Sequence, residues 1–472
     1  MEEPRNDAPR PVNPRRKKRS KAQIFKEAYL PVVIAGLAVI LILVFIIGSI
    51  SRGVQKNRAE KEASIAASIA AEEEAAALAL KEKELLDAAA ALATSYDYEG
   101  AIAVLDSFPG DMSQYPAIAD RRSHYLEVMD SLVVWDDPSK VVNLSFQLLI
   151  ADINRAVNHD VYSYSFNRNF VTTGEFSQIL QQLYDNGYVL VDMEDIITLE
   201  EGVYNAKPLR LPAGKKPLML TQTNVNYNIY LIDSDGDKLP DKNGGGFASK
   251  MLLDTNGNIT CEMVDQDGNT VTGAFDMVPI LEQFLQNHPD FSYQGARAVL
   301  ALTGYNGLFG YRTNAEAVEQ FGQAAYEEAV AGAKQIADEL RNLGYTFACY
   351  TYENIPYGTS TIQQIKADLS GWSSEVIPIL GSTDILVYAQ LTDIATDLNY
   401  SGDKYNLLYE NGFRYYLGFC NQGNPWVHIQ DSYVRQGRFM VTGANLAHKP
   451  ELFSGMFDAT AILDPARGDV PA

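Results

Sequence analysis

From residue 140 to the carboxyl end, short apolar runs alternate with stretches of helical periodicity, and few folds accept that rhythm. Residues 141–150, 188–191, 217–222, 298–302, 345–350, 385–389 and 413–419 read as strands. Residues 172–186, 277–287, 315–343, 361–380 and 404–412 read as helices. The 172–186 helix opens on capping-type residues (TTGE) and carries Phe176, Ile179, Leu180 and Leu183 on one face. An α/β alternation of this kind predicts parallel strands joined by right-handed crossovers. Two of the strands set the search for a site. PLMLTQTNVNY (217–227) and YTFACYTYEN (345–354) both run apolar and then stop at polar and aromatic residues. A buried strand does this where its carboxyl end reaches a site.

The amino terminus predicts location. Residues 1–28 are Pro-rich and basic, and residues 29–50 include PVVIAGLAVILILVFIIGSI, which holds no charge. About 20 apolar residues suffice to cross a bilayer as a helix, and the run is too long for a secretory signal. The basic flank predicts a cytoplasmic amino terminus, so the chain is expected in the cell membrane as a single-pass protein with its large domain outside. Residues 51–93 are rich in Ala, Glu and Lys and read as a helical stalk, roughly 60 Å long at 1.5 Å per residue. Without a strict heptad it reads as a spacer, or as a helix packing on its own chain, rather than a dimer zipper. Residues 94–135 read as a helical hairpin broken at Pro109-Gly110, similar to one tetratricopeptide-type unit.

Composition removes some partners. A net charge of −22 argues against nucleic acid, which needs clustered Lys and Arg. Cys261, Cys349 and Cys420 are too few for a disulfide framework and are expected as isolated thiols, with a Cys349–Cys420 bridge open only to neighbouring strands. The five histidines show no paired spacing. Residues 230–275 read as an insertion. In it, Asp233, Asp235, Asp237 and Asp241 crowd one loop and resemble the calcium loops of thrombospondin- or dockerin-type repeats, so Ca²⁺ is a candidate there against an ordinary solvated acidic turn. Lys238 stands at the sixth position, which favours Gly, and Gly244 at the twelfth, which favours Glu. The Asn-Gly and Asp-Gly turns that follow predict an appended β-hairpin. Asn143, Asn258 and Asn399 begin N-x-Ser/Thr sequons.

The segments FVTTGEFSQILQQLYDNGYVLVDMEDI, AGKKPLMLTQTNVNY, GARAVLALTGYNGLFGYRTN and DSYVRQGRF, in this order, resemble the polysaccharide deacetylase (NodB-like) family in a membrane-anchored, clostridial-type version. The resemblance covers roughly residues 140–467 and implies a distorted (β/α)7 barrel over residues 140–472. It also implies metal-assisted deacetylation by two adjacent aspartates at one strand end and two histidines at the other. Here the base position is Thr223 and the ligand positions are Asn224, Tyr350 and Asn354. Gln147 stands where the first strand often carries His, and Val387–Leu391 lacks the family's Pro and Gly. With these four positions changed together, no metal is expected at the barrel. Glu353, Asp192, Glu194 and Asp195 are the carboxylates at nearby strand ends.

Three functions follow as expectations. The first is an inactive deacetylase-like protein that binds or organises cell-surface glycan through Asn226, Tyr227, Tyr352, Trp426 and Arg435. The second is an active carbohydrate deacetylase that holds Zn²⁺ or another divalent metal with unusual ligands. The third is a structural interaction protein at the membrane. The oligomeric state is not specified by the sequence.

Overall fold

The computed structural model describes residues 56–158, 161–395, 399–420 and 423–472, with side chains from residue 64 onward. The apolar run at 31–50 lies outside the described residues; among those described, no helix is long and apolar enough to cross a membrane. The chain divides into two compact units at Leu132/Val133.

Among the described residues, the first unit is all helical. A helix over Lys56–Thr94 is followed by Tyr98–Asp106 and Pro116–Ser131. The Asp97 carboxylate accepts the Gly100 N–H and starts the second helix, and Pro116 sits in the first turn of the third. Leu85 and Ala89 of the long helix bury against Ala101, Leu105, Phe108, Ile118 and Tyr125. Its carboxyl-terminal part therefore packs on its own chain, whereas Ile65 and Ile69 remain exposed.

The second unit is built on nine strands: β1 Val142–Phe146, β2 Tyr188–Leu190, β3 Lys216–Thr223, β4 Val299–Leu302, β5 Thr346–Cys349, β6 Ile385–Val387, β7 Tyr415–Phe419, β8 Val427–Gln430 and β9 Tyr433–Met440. Seven of them close a parallel ring in the order β1-β3-β4-β5-β6-β7-β9, and β9 pairs back onto β1. Strand β2 flanks the first half of β3, while β8 adds antiparallel to β9. The parallel strands expected from the alternation are present and close into the (β/α) barrel that the resemblance implies, although β9 (YVRQGRFM) has no strand signature. The helices Thr173–Asp185, Met277–Asn287, Gln323–Leu343 and Ile362–Gly371 fall within the expected ranges, and Gly402–Glu410 starts two residues ahead of the expected 404–412.

Two expected helices are interrupted. Gly322, at φ 87°, separates Glu316–Phe321 from Gln323–Leu343. A π turn over Trp372–Val376 interrupts the other ahead of Pro378. The insertion forms a three-stranded antiparallel sheet rather than a two-stranded hairpin (Lys250–Leu253, Ile259–Val264, Thr270–Gly273), its turns passing through Gly257 and Gly268 at positive φ. Ile259, Cys261 and Met263 alternate inward. All three cysteines are free and buried.

Polar side chains, not aliphatic ones, fill part of the ring. Asn143 Nδ2 donates to Gln436 Oε1 at 2.9 Å, and Thr221 Oγ1 donates to Asn143 Oδ1 at 2.9 Å. This buries the first sequon asparagine completely and withdraws it as a glycosylation acceptor.

Candidate binding site at the barrel mouth

One step further along the same strands, the polar filling becomes charged. Arg438 of β9 is fully buried; its Nη1 donates to Ser145 Oγ at 2.8 Å, its Nε to Gly418 O at 2.9 Å and its Nη2 to Tyr388 O at 3.4 Å. No carboxylate lies within ion-pair distance of it among the described residues. Burial lowers its pKa to about 10, which still leaves a full positive charge at neutral pH. Above this charge sits Tyr350, just past β5. Burial raises the phenol, while Arg438, the Gln390 N–H and the Thr223 hydroxyl pull it back only in part.

The four degenerate positions lie at the carboxyl ends of β3 and β5, the two strands that flank β4. Thr223 is buried, with its hydroxyl donating to Phe146 O at 3.2 Å and lying beside Tyr350. Asn224 donates from Nδ2 to Gln147 Oε1 at 3.4 Å. Asn354 is tied to the next strand end, its carbonyl accepting Gln390 Nε2 at 2.7 Å. The backbone here is strained: Asn224, Thr351, Asn354, Gln390 and Leu391 all hold positive φ without being glycine. Several buried acceptors and hydroxyls also lack a partner among the described residues, namely Asn224 Oδ1, Thr303 Oγ1, Thr351 Oγ1 and Asn354 Oδ1. Strain and unmet hydrogen-bonding capacity at the end of a barrel are what a ligand site leaves in a structure.

These residues do not fit a divalent metal. Amide oxygens, a hydroxyl and a neutral phenol are weak donors, and a fixed guanidinium beneath them repels a cation. The neighbouring carboxylates offer no replacement: Asp195 caps its own turn by accepting the Asp192 N–H at 2.9 Å, and Glu353 is exposed.

The rim is aromatic, through residues that carry no sequence signal. The phenols of Tyr305, Tyr350 and Tyr162 are near enough to Tyr230 to add to the rise that burial gives its pKa. Tyr162 and Tyr230 contact edge to face at 5.7 Å, and each is 36% exposed. Their loops have no periodicity, so only the closed barrel shows that they meet.

Most of the expected glycan-cleft residues lie elsewhere. Asn226 is fully buried; it donates to Thr303 O at 2.7 Å and to Gly307 O, and accepts the Thr303 N–H at 2.9 Å. Tyr227 is buried as well, its hydroxyl donating to Asp276 Oδ2 at 2.7 Å. The left-handed turns at Asn224 and Tyr227 fold these side chains back into the protein. Trp426 and Arg435 belong to a separate cluster, where Arg435 pairs with Asp393 at 2.9 Å and covers the Tyr400 ring at 4.1 Å. Trp426 lies against Gly437, where any side chain would clash with its indole.

Tyr352 is wedged against Gly304 and Gly371, with its hydroxyl donating to Glu375 at 2.6 Å. Its loop is held by the Asp368 carboxylate, which accepts the Tyr352 and Glu353 N–H groups and the Tyr357 hydroxyl at 2.6–2.8 Å. Replacing Asp368 by Asn keeps one accepting oxygen and turns the other into an N–H₂ group that faces a donor. The Asp368→Asn variant is expected to lose about 1–3 kcal/mol in urea unfolding, and a loss below about 0.5 kcal/mol would contradict that role.

In the acidic loop, Asp233, Asp235 and Asp237 place carboxylate oxygens within 4.8 Å of one another. Asp241 does not join them. Its carboxylate accepts the Ser234 and Asn243 N–H groups, both at 2.6 Å, and the Ser234 hydroxyl.

No protein-family profile matches this sequence, and no curated protein matches it. Among solved structures, the Streptococcus pyogenes deacetylase PplD in complex with acetate aligns over 67% of this chain and 98% of its own, at 13% identity and a TM-score of 0.35. At that level of similarity, the barrel rests on its own strand pairing.

Proposed function

We propose that this chain is a membrane-tethered, extracytoplasmic protein whose deacetylase-like barrel binds cell-surface carbohydrate without hydrolysing it. The observation that carries the reading is the floor of the mouth: a buried guanidinium under neutral oxygens, where hydrolysis would need a Lewis acid and a base. Thr223 cannot serve as a base near neutral pH, and Tyr350 is held protonated by burial. What the mouth offers a ligand is tyrosine faces and unmet amide and hydroxyl groups, the mixture that suits a sugar's apolar ring faces and hydroxyl edges. The uncharged run at 31–50 and its basic flank support the tether.

The test combines metal analysis with binding. Protein purified without chelator is expected to carry no stoichiometric transition metal and to release no acetate from acetylated chito-oligosaccharides. In a glycan screen, Tyr230→Ala and Tyr305→Ala should each weaken the best binder by about 2- to 10-fold, the share of one aromatic contact. Stoichiometric zinc lost together with acetate release on chelation would establish the hydrolase instead.

A further inference from the structure

Resting on the carbohydrate reading, we infer that the barrel mouth selects an acidic sugar, whose anionic oxygens are received by the Tyr350 hydroxyl with Arg438 directly behind it. Three described arginines are buried, and two have an anion of their own. Arg467 faces Glu175 at 2.6 Å and Arg435 faces Asp393 at 2.9 Å. Arg438 reaches only two carbonyls and the Ser145 hydroxyl, so its charge is buried without neutralisation. Burying a charge this way is unfavourable, and one anion placed nearby relieves much of the penalty.

The space that remains for such an anion is the mouth. Thr223 and the Gln390 N–H lie beside the Tyr350 oxygen on the protein side. At the same strand ends Thr351 Oγ1, Asn224 Oδ1 and Asn354 Oδ1 have no partners, and the phenolic proton can go to Thr223 Oγ1, whose own proton is held by Phe146 O, or to a ligand oxygen placed there. Thr351 can donate a second hydrogen bond to an anion, while the two amide oxygens can accept from sugar hydroxyls. A neutral sugar would satisfy the amides but gain nothing from the guanidinium. The chemistry required is a negatively charged oxygen group on a saccharide, either the carboxylate of a uronic-acid residue or the phosphate of a sugar- or glycerol-phosphate polymer.

The full-length protein should be titrated with oligogalacturonate (carboxylate), poly(glycerol phosphate) (phosphate) and chitohexaose (neutral). One of the two anionic probes is expected to bind at least about tenfold more tightly than chitohexaose, with an affinity that falls as salt rises. The probe that binds identifies the source of the charge. Arg438→Gln should abolish this preference, its loss of affinity for the anionic probe exceeding any loss for chitohexaose by at least about tenfold. Because Arg438 is fully buried, that variant is read only if its circular dichroism and melting match the parent's. Tyr350→Phe, which removes a single oxygen, provides the second arm and should weaken the anionic probe several-fold more than the neutral one. Equal or tighter binding of chitohexaose would overturn the inference while leaving the carbohydrate reading intact. Failure of all three probes would overturn both.

Discussion

Replacing Arg467 by Met should destabilise the barrel unit by about 3–5 kcal/mol, the range for removing one partner of a buried ion pair. Arg467 and Glu175 are both fully shielded from solvent and meet in a two-pronged contact, Nε to Oε1 and Nη2 to Oε2, each at 2.6 Å. Every remaining polar atom is used. The guanidinium also donates to Asn167 O, Asn167 Oδ1 and Phe170 O at 2.8–3.0 Å. Glu175 in turn accepts the Thr172 N–H at 2.7 Å and the Asp464 N–H at 2.9 Å.

One carboxylate thus closes the capping box of the Thr173–Asp185 helix and anchors the carboxyl-terminal segment to it. Removing Arg467 leaves Glu175 as an unpaired buried charge, which is why the expected loss exceeds that of an exposed pair. Urea unfolding followed by tryptophan fluorescence gives the value for this unit alone, since Trp135, Trp372 and Trp426 all lie within it. The double variant Glu175→Gln/Arg467→Met should cost well under the sum of the two singles. Strict additivity, or a single-variant loss under about 1 kcal/mol, would show that the pair is not a unit.

That capping box shows how much of the fold is legible in the sequence. TTGE followed by apolar residues at helical spacing is a local signal, and local signals survive folding. The 277–287 helix appears at the expected bounds, and β1 to β7 fall within or close to their expected runs. Strand β9 is invisible because its inward positions are Gln436 and Arg438 and its outward ones include Arg435 and Gly437. No apolar alternation exists to read when a barrel is filled with polar groups. The strand ends after β3 and β5 lie where the apolar runs stop, and the four degenerate positions lie with them. The side chains beyond do not follow, because Asn224 and Tyr227 turn left-handed and carry Asn226 and Tyr227 into the core. Nothing in the order of residues announces such a reversal, since Asn tolerates that conformation well and Tyr rarely adopts it. Arg438 escapes notice for a related reason: a lone Arg in a polar stretch reads as surface until seven strands close around it.

The same buried polar shell predicts an inverted pH response at Asp276, the carboxylate that receives Tyr227. Asp276 is fully buried at the start of the Met277–Asn287 helix. It accepts the Leu149 N–H at 3.0 Å and Gln222 Nε2 at 2.8 Å on one oxygen, and the Tyr227 hydroxyl at 2.7 Å on the other. Burial raises its pKa to about 6, outweighing these donors, which pull the other way. Because the folded pKa lies above the ordinary value of 3.8, the folded state holds the proton more tightly than the unfolded chain does. The stability this contributes is fully present below about pH 3.8 and is lost as pH rises through about 6.

The gap between 3.8 and about 6 corresponds to about 3 kcal/mol, at about 1.36 kcal/mol for each pH unit. Most surface carboxylates act in the opposite sense, so the effect is read as a difference between parent and Asp276→Asn. The variant should be the less stable protein at pH 4, because its amide presents N–H groups where three donors already converge. Between about pH 4 and pH 7 the parent should lose about 2 kcal/mol of this relative to the variant, most of it below about pH 6, the remainder being lost already below pH 4. A parent that instead gained stability relative to the variant over that interval would mean that the hydrogen bonds outweigh burial, with Asp276 ionised in the folded protein at the acidic end of the range. Tyr227 separates the two cases further. Its hydroxyl donates to the charged form, so Tyr227→Phe should raise the folded pKa of Asp276 beyond that of the parent. The pH-dependent loss in that variant should begin at the same acidic limit, set by the unfolded chain, and continue to higher pH than in the parent. A loss that ended at lower pH would show that the phenol does not hold the carboxylate in its charged state.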